Sequence, residues 1–215
     1  MRDVLPALEL RADTVICDPP YNAGKSYGKT TNDRQDWPDW CAWWDGCLDV
    51  LTAAAPDVFA FLSQTAMRHY LRHGAHEPDW IMAWSKPLSL AVCAMPFMPH
   101  WEPILYWGKT RKKDGAFWNS DVITANVTRN EWGHPTEKPL PLMQTLVSRL
   151  TEPGDLVIDA FAGSGTTLVA CRQLERRCVG VEINPDYCAT IARRLDTEAP
   201  LLDRLAAIEQ GSLAL

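Results

Sequence analysis

Residues 15–21 of the chain read Val15-Ile16-Cys17-Asp18-Pro19-Pro20-Tyr21. The β-branched pair at the start favours a strand that is covered on both faces. The two prolines lack a backbone N–H and hold φ near about −65°, so the strand must end there in a stiff, extended loop. Asp18, Tyr21 and free carbonyls are thereby placed at the carboxyl end of a strand, the edge at which open α/β sheets bind their ligands.

An acid followed by carbonyl oxygens and an aromatic ring suits the methylation of an amino group that is conjugated to a ring. Such an amine is a poor nucleophile because its lone pair is delocalised. Hydrogen bonds to the Asp18 carboxylate and the Pro19 carbonyl would localise that lone pair, at about 1.5–3 kcal/mol for each charge-assisted bond. Tyr21 would stack on the base once it has left its duplex. The structural alternative is a common Pro-Pro turn in which Asp18 only caps the turn.

The bulk composition fits one ordinary domain with a sizeable core, since 47% of the 215 residues are hydrophobic. No apolar run reaches the roughly 18–20 residues that span a bilayer, and no signal-peptide pattern follows Met1, so we expect a cytoplasmic protein without a membrane partner. Seven cysteines without a C-x-x-C pair fit a reducing compartment. The net charge of −6 argues mildly against a nucleic-acid partner unless the basic residues are clustered.

Two polar segments, residues 22–35 and 108–133, hold the cations that would contact a nucleic-acid backbone. The second contains one dense basic run over residues 109–113, for which a solvated hairpin tip is an equal alternative. The predicted DNA-binding residues are Lys25, Lys29, Lys109, Arg111, Lys112, Lys113 and Arg129.

Tryptophan and histidine spacings have structural explanations. Trp37, Trp40 and Trp44 share one face of a predicted helix over residues 36–54 and are expected in the core. Residues 69, 73 and 76 are histidines, but no cysteine or acid completes a ligand set. We therefore predict a solvated helix end and no metal site.

Helices and strands alternate clearly from Pro139 onward. The pattern predicts helices over 140–150, from the 160s to about 174, and over 185–195, with strands over 156–159 and 178–182. This unit is half of a doubly wound nucleotide-binding sheet. Upstream, the pattern predicts strands over 57–62, 80–84 and 104–107 and a helix over 65–72. The predicted fold class is α/β with a doubly wound, mostly parallel sheet.

The loop at the predicted strand end 156–159 indicates the cofactor. Gly163 and Gly165 allow a ligand to approach the backbone, but Leu168 replaces the third small residue of a dinucleotide fingerprint. No lysine follows Gly165, which argues against a phosphate-binding loop. Glu182, about 20 residues on, can accept both hydroxyls of a ribose. A ribose acceptor without a phosphate cradle suits S-adenosylmethionine, whose sulfonium methyl is the electrophile that the first site would use.

Together these motifs resemble those of the amino-group DNA methyltransferases, which act on adenine N6 or cytosine N4. The Asp18-Pro19-Pro20-Tyr21 motif precedes the Phe161-Ala162-Gly163-Ser164-Gly165 motif, an order similar to that of the permuted β group. The segment His134-Pro135-Thr136-Glu137-Lys138-Pro139 resembles the H-P-T-x-K-P segment of that group, and Glu182-Ile183-Asn184 resembles its ribose-binding segment. Trp84-Ser85-Lys86-Pro87 and Glu102-Pro103-Ile104-Leu105 look like its intermediate strand segments.

The resemblance implies an S-adenosylmethionine-dependent, site-specific DNA methyltransferase. An acid before Pro-Pro-Tyr favours adenine N6, with cytosine N4 as the alternative. The implied catalytic residues are Asp18, Pro19, Pro20 and Tyr21. The implied cofactor-binding residues are Asp3, Cys17, Asp18, His134, Thr136, Lys138, Asp159, Phe161, Ala162, Gly163, Ser164, Gly165, Thr166, Thr167, Glu182, Ile183 and Asn184.

The resemblance also implies an organisation for the whole chain. We expect a single domain with a catalytic half over 1–107, a DNA-contacting insert over 108–133, a cofactor-binding half over 134–198 and a tail over 199–215. Its partner would be double-stranded DNA in a bacterial host or a phage. Few residues are free to read DNA, so we expect a short target sequence, loose specificity or a homodimer. A cognate restriction enzyme is a further possible partner.

Three other functions are alternatives to DNA methylation. Protein-glutamine methylases use a similar loop, but with asparagine in place of the acid and with the cofactor motif first. A DNA-binding methylase fold that has lost catalysis would conflict with the intact Asp18, Tyr21, Gly163 and Glu182. A hydrolase or dehydrogenase lacks support because the chain has neither G-x-S-x-G nor the third glycine.

Overall fold

A computed structural model describes residues 1–25, 33–88, 96–108, 120–127 and 132–198. Within these ranges the strands are β1 (Thr14–Cys17), β2 (Asp57–Phe61), β3 (Trp80–Ser85), β4 (Trp101–Gly108), β5 (Val122–Thr124), β6 (Leu156–Asp159) and β7 (Arg177–Gly180). The helices are α1 (Val4–Ala7), α2 (Trp37–Ala54), α3 (Gln64–His73), α4 (Leu140–Leu150), α5 (Thr166–Gln173) and α6 (Pro185–Thr197). None of the helices in these ranges combines the length and the apolar character that crossing a bilayer requires.

All seven strands form one sheet in the order β5-β3-β4-β2-β1-β6-β7. β1 is parallel to both neighbours, with Val15 opposite Val58 of β2 and Ile158 of β6. β4 runs antiparallel to β2 and to β3, so the other six strands share one direction. The carboxyl ends of β1 and β6 therefore meet side by side at one edge of the sheet.

Helices cover both faces of this sheet, which is why the inner strands are apolar without alternation. α2 packs on one face through buried residues that include Trp40, Trp44 and Leu48. α4 and α5 pack on the other face through residues that include Leu142 and Ala170. The predicted doubly wound, mostly parallel α/β fold is confirmed.

The tryptophan face of α2 is only partly in the core. Trp40 and Trp44 are 1% and 0% exposed, as predicted. Trp37 is half-buried and stacks on the His69 ring with centroids 4.1 Å apart. His76 lies 3.0 Å from the Asp49 carboxylate. Among the described residues no three metal-ligating side chains form a cluster.

Several elements differ from the predicted boundaries; β4, for example, begins at Trp101, three residues before the predicted start. β7 ends at Gly180, so Glu182 lies in the loop after the strand rather than inside it. β5 is a three-residue edge strand within the segment predicted as a polar, DNA-contacting insert. Only Ile123 of β5 is buried, and its pairing partner is the distant β3, so the local pattern carries almost no strand signal.

Candidate active site

The first part of the site is the loop that leaves β1. The strand is buried over its whole length, so Asp18 emerges from the core directly at the carboxyl edge. The indole N–H of Trp40 donates a 3.0 Å hydrogen bond to the Pro20 carbonyl and so fixes the loop to α2. Within the described part of the chain, no donor is hydrogen-bonded to the Pro19 carbonyl. Pro19 itself is buried.

Asp18 is held by two side chains. The Lys138 ammonium lies 2.6 Å from Asp18 Oδ2, and the Tyr21 hydroxyl donates to Asp18 Oδ1. Lys138 also donates to the Tyr21 hydroxyl at 2.9 Å, which fixes the orientation of the ring. Burial raises the pKa of the Asp18 carboxyl, and the charge of Lys138 opposes that rise. The sequence resemblance predicted Lys138 only as a cofactor residue, whereas the structure places its ammonium on Asp18.

Further charged side chains continue behind Lys138. Glu102 of β4 places Oε2 3.7 Å from the Lys138 ammonium and accepts a 2.6 Å bond at Oε1 from Lys86, which follows β3. Burial lowers the pKa of Lys138, but the carboxylates of Asp18 and Glu102 outweigh burial and leave that pKa raised. Lys138 is therefore a permanent cation beside Asp18.

The second part of the site is the loop between β6 and α5. Gly163 and Gly165 have φ of +52° and +85°, a region that L side chains rarely adopt. The Gly165 N–H donates to the Ala162 carbonyl at 2.7 Å and closes the turn. A Cβ on Gly165 would lie 2.9 Å from Ile191, so glycine also allows α6 to approach.

Two carboxylates flank this glycine loop. Glu182 accepts hydrogen bonds of 2.8 Å from the backbone N–H groups of Gly163 and Asn184, which anchors it beside the loop. Asp159 ends β6 and is 3% exposed. Burial raises the pKa of Asp159 to about 7, against hydrogen bonds from Thr167 and the Phe161 N–H.

The segment over residues 134–139 closes one side of the glycine loop. His134 packs edge-on against Tyr187 at 4.8 Å between ring centroids. Burial, together with the charge of Lys138, lowers the pKa of His134 to about 4, so the imidazole is neutral at pH 7. Arg194 of α6 joins this segment to the loop, since its guanidinium lies 3.6 Å from Glu137 and donates to Thr166 Oγ1 at 3.0 Å.

A cavity of about 680 Å³ lies between the β1 loop and the glycine loop. Most predicted site residues line it: Asp3, Cys17, Asp18, Pro20, His134, Thr136, Lys138, Asp159, Phe161, Ala162, Gly163, Ser164, Thr166, Thr167, Glu182 and Ile183. Pro19, Tyr21, Gly165 and Asn184 are predicted site residues that do not line it. Gly165 and Asn184 instead precede the first residues of α5 and α6, and the Asn184 side chain caps its helix.

Among the cavity residues that were not predicted from the sequence are three on helices α2 and α6. Trp43 and Cys47 reach the cavity from α2, and Tyr187 reaches it from α6. The α2 residues belong to a helix whose apolar pattern indicates only packing, so no sequence signal marks them. Tyr187 lies in the first turn of a helix that starts near the ligand-binding edge, a position that could have been considered.

Just after the β1 loop, hydrogen bonds join two segments of the chain that lie about a dozen residues apart. Asn22 and Gln35 are joined by two hydrogen bonds of 2.7 and 2.8 Å, one in each direction. The buried Asp33 carboxylate accepts from the backbone N–H groups of Asn22, Ala23 and Lys25. Lys25 is exposed. The other predicted DNA-binding residues lie outside the described residues: Lys29, Lys109, Arg111, Lys112, Lys113 and Arg129.

Comparisons with known proteins point to one family. A family model of N6 and N4 methyltransferases, described as DNA methylase, matches residues 12–193. The type II methyltransferase M.HpaI of Haemophilus parainfluenzae is 28% identical over 221 residues, which cover 86% of this chain and 68% of that protein. The type II methyltransferase M2.DpnII of Streptococcus pneumoniae is 32% identical over 135 residues, 54% of this chain and 50% of that protein.

Solved structures agree on the fold. The structure of the M1.HpyAVI–SAM complex superposes with a TM-score of 0.64 at 23% sequence identity. The alignment covers 91% of this chain and 94% of the M1.HpyAVI chain. The cytosine-N4-specific PvuII DNA methyltransferase has a TM-score of 0.69 at 17% identity, with coverage of 90% and 83%. The family model extends over β1, the glycine loop and Glu182, and the predicted resemblance is confirmed. This chain therefore belongs to the DNA methylase family.

Proposed function

We propose that this protein transfers the methyl group of S-adenosylmethionine to the exocyclic amine of a flipped base in double-stranded DNA, with adenine N6 as the target. One observation carries the proposal. The Asp18 carboxylate lines a cavity whose other side is the glycine loop and Glu182, and the Pro19 carbonyl follows Asp18 directly in the chain. Hydrogen-bond acceptors for a substrate amine thus lie beside a site suited to a nucleoside.

The residues present fit S-adenosylmethionine. Residues 161–167 contain no lysine or arginine, so the glycine loop offers no cation to a phosphate group. Glu182 keeps acceptor capacity for ribose hydroxyls, and Asp3 would bind the adenine amine, as the family resemblance implies. Thr136, His134 and Thr166 line the cavity and would hold the methionine portion. When bound, the cofactor supplies a sulfonium methyl as the electrophile.

The protein's own residues prepare the amine for attack. The Asp18 carboxylate and the Pro19 carbonyl accept its two N–H groups, which localises the lone pair at about 1.5–3 kcal/mol for the charge-assisted bond. The Tyr21 ring, oriented by Lys138, stacks on the base. Positioning of amine and methyl group at contact distance supplies much of the remaining acceleration. No covalent enzyme intermediate is needed, and no cysteine acts as a nucleophile.

Cytosine N4 is the second candidate target, because it too is an exocyclic amine beside a ring nitrogen. The acid at position 18 favours adenine through the family resemblance, while the neighbours of known fold include a protein described as cytosine-N4-specific. The two bases differ in size, so the free volume between Tyr21 and the cavity would select one of them. Bacterial relatives make a bacterial or phage host the natural setting for either target.

The decisive experiment is expression in a methylation-free bacterial host, followed by single-molecule sequencing and nucleoside mass spectrometry of the host DNA. We expect N6-methyladenine in one short motif, and none from the Asp18→Ala variant. N4-methylcytosine would replace the adenine assignment. Unmodified DNA from a protein that still binds S-adenosylmethionine would require another substrate. Unmodified DNA without cofactor binding would favour a methylase fold that has lost catalysis.

A further inference from the structure

Four charged side chains form a row of alternating sign that ends at Asp18. The row runs from Lys86 to Glu102, Lys138 and Asp18, with closest N–O distances of 2.6, 3.7 and 2.6 Å. Both lysine side chains are 8% exposed, and the two acids are 20–21% exposed. Buried charges are costly unless they are paired. Two ammonium groups and two carboxylates balance here, so the row is neutral as a whole.

The distance between Lys138 and Glu102, in the middle of the row, is the longest of the three. Lys138 lies 1.1 Å farther from Glu102 than from Asp18, since the two N–O distances are 3.7 and 2.6 Å. Among the described residues, none forms a hydrogen bond with the buried Glu102 Oε2, whereas Oε1 is held by Lys86 at 2.6 Å. A carboxylate without Lys86 would take Lys138 as its nearest cation. Lys86 thus decides which of the two acids keeps Lys138.

We infer that Lys86 and Glu102 are positioning residues for Asp18: Lys86 neutralises Glu102 so that the Lys138 ammonium stays on the acid that holds the substrate amine. This inference rests on the proposed function, because it assigns a purpose to the charge on Asp18. Neither Lys86 nor Glu102 lines the cavity, so neither is expected to touch the cofactor. Their effect on catalysis would pass through Lys138.

The groups around Asp18 determine the direction of the expected pH effect. Those facing it are Tyr21 from its own loop, Lys138, Glu102 from β4, Cys17 from β1 and Asp159 from β6. Lys138 is the cation among them that lowers the pKa of Asp18, and Glu102 raises it. If Lys138 moves to Glu102, the pKa of Asp18 rises. Asp18 then becomes a carboxylate only at higher pH, so the acid limb of the activity profile shifts to higher pH.

The test is a charge-removal cycle with Lys86→Met, Glu102→Gln and the double variant. Lys86→Met keeps the stem that packs over Trp84, where the Lys86 Nζ lies 5.1 Å from the ring centroid. It should lower kcat by about 10- to 100-fold at pH 7, the effect of one charge-assisted bond, and shift the acid limb of kcat upward. The double variant also removes the competing carboxylate. It should return kcat to within about threefold of the starting protein.

Recovery of stability in the double variant is expected of any buried ion pair, so the result that a merely structural role cannot produce is the shift of the acid limb of kcat in Lys86→Met, measured on folded protein, and its return in the double variant. Lys86→Arg should retain the starting pH profile, and the dissociation constant for S-adenosylmethionine should stay unchanged in all variants. A structure of Lys86→Met should show the Lys138 ammonium in contact with Glu102. An unchanged pH profile in Lys86→Met, or a double variant worse than either single one, overturns the inference. Absence of methylation by the starting protein would instead overturn the proposed function.

Discussion

Asp18 is subject to two opposing electrostatic influences. Burial favours its neutral form, and the ammonium of Lys138 at 2.6 Å favours the carboxylate. Only the carboxylate can accept both a substrate N–H and the Lys138 bond without giving up a lone pair to a proton. The site therefore depends on an ion pair that is built into the protein before any ligand arrives.

Asp18→Ala should abolish methyl transfer while leaving cofactor binding nearly intact. We expect single-turnover rates to fall by at least about 100-fold, because the variant loses a charge-assisted acceptor at the reacting amine. Calorimetry should give a dissociation constant for S-adenosylmethionine within about threefold of the starting value.

Asp13→Ala is the matched control for Asp18→Ala. Asp13 lies just before the amino end of β1 and accepts a 2.7 Å hydrogen bond from the Leu156 N–H. Its loss should reduce stability but keep the transfer rate of the folded protein. Simultaneous loss of cofactor binding and activity in Asp18→Ala would identify Asp18 as a structural residue.

Asp159 should make the ligand-free protein less stable as the pH rises. Its folded-state pKa is raised to about 7 by burial, far above the ordinary value of 3.8. Between these two values the unfolded chain has lost the proton and the folded protein keeps it, so stability falls with rising pH. Asp159→Asn should therefore raise Tm most at pH 7–8, with a gain that shrinks toward pH 4. The exposed Asp196→Asn serves as control, and an equal gain at both pH values would refute the assignment.

At the scale of elements, the turn from β6 to α5 depends on glycine for two separable reasons. Gly165 has a φ of +85°, and a Cβ added to it would lie 2.9 Å from Ile191. Gly154 has a φ of +90°, but a Cβ added there would have no described neighbour within 4 Å. Gly154→Ala should cost about 1–2 kcal/mol of unfolding free energy, the penalty of the left-handed backbone alone. Gly165→Ala should cost about 1–3 kcal/mol more because of the contact with α6.

Chemical denaturation of the two glycine variants measures the difference directly. Gly165→Ala should also weaken binding of S-adenosylmethionine, since the turn holds Gly163 and Ser164 against the cavity. Gly154 is remote from the cavity lining and should leave that binding unchanged. Equal destabilisation by both substitutions would show that α6 can move away from the added methyl group.

Elements with strong local periodicity could be predicted from the sequence. The helix over Leu140–Leu150 and the strand over Leu156–Asp159 have the predicted boundaries, because each combines an apolar face with prolines or glycine at its ends. β5 could not be predicted because three residues beside β3 gain their stability from a partner far along the chain.

The candidate site, too, could be predicted only in part from the sequence. The motif residues Asp18, Gly163 and Glu182 are identifiable because their chemistry follows from type and spacing. The contact between Lys138 and Asp18 joins positions 120 residues apart, while Glu102 lies on β4 and Lys86 directly follows β3. Which cation lies on which acid depends on the sheet register, which a single sequence does not contain. Whether the motif residues perform the roles assigned to them stays a prediction.

At the scale of the whole molecule, a net charge of −6 has to coexist with a polyanionic substrate. Binding then depends on local clusters of cations, of which residues 109–113 are the densest in the sequence. Neutralising Lys112 and Lys113 together should weaken DNA binding and make the slope of log K against log salt shallower by about two contacts.

Salt-dependent binding to a short duplex tests this cluster. The double Arg variant at positions 112 and 113 keeps both charges and should retain the starting slope. If the double Ala variant binds DNA with the same affinity and slope as the starting protein, the basic run is a solvated tip and the phosphate contacts come from elsewhere.

The hydrogen bonds between Asn22 and Gln35, with Asp33 accepting three backbone N–H groups, close a stem just after the β1 loop. The stem fixes the chain on both sides of a stretch that the sequence predicts to contact DNA. An engineer could therefore exchange residues of that stretch while keeping the hydrogen bonds that anchor the chain beside the β1 loop. A changed methylation motif in such a variant would show that the stretch reads DNA, and an unchanged motif would place target recognition elsewhere.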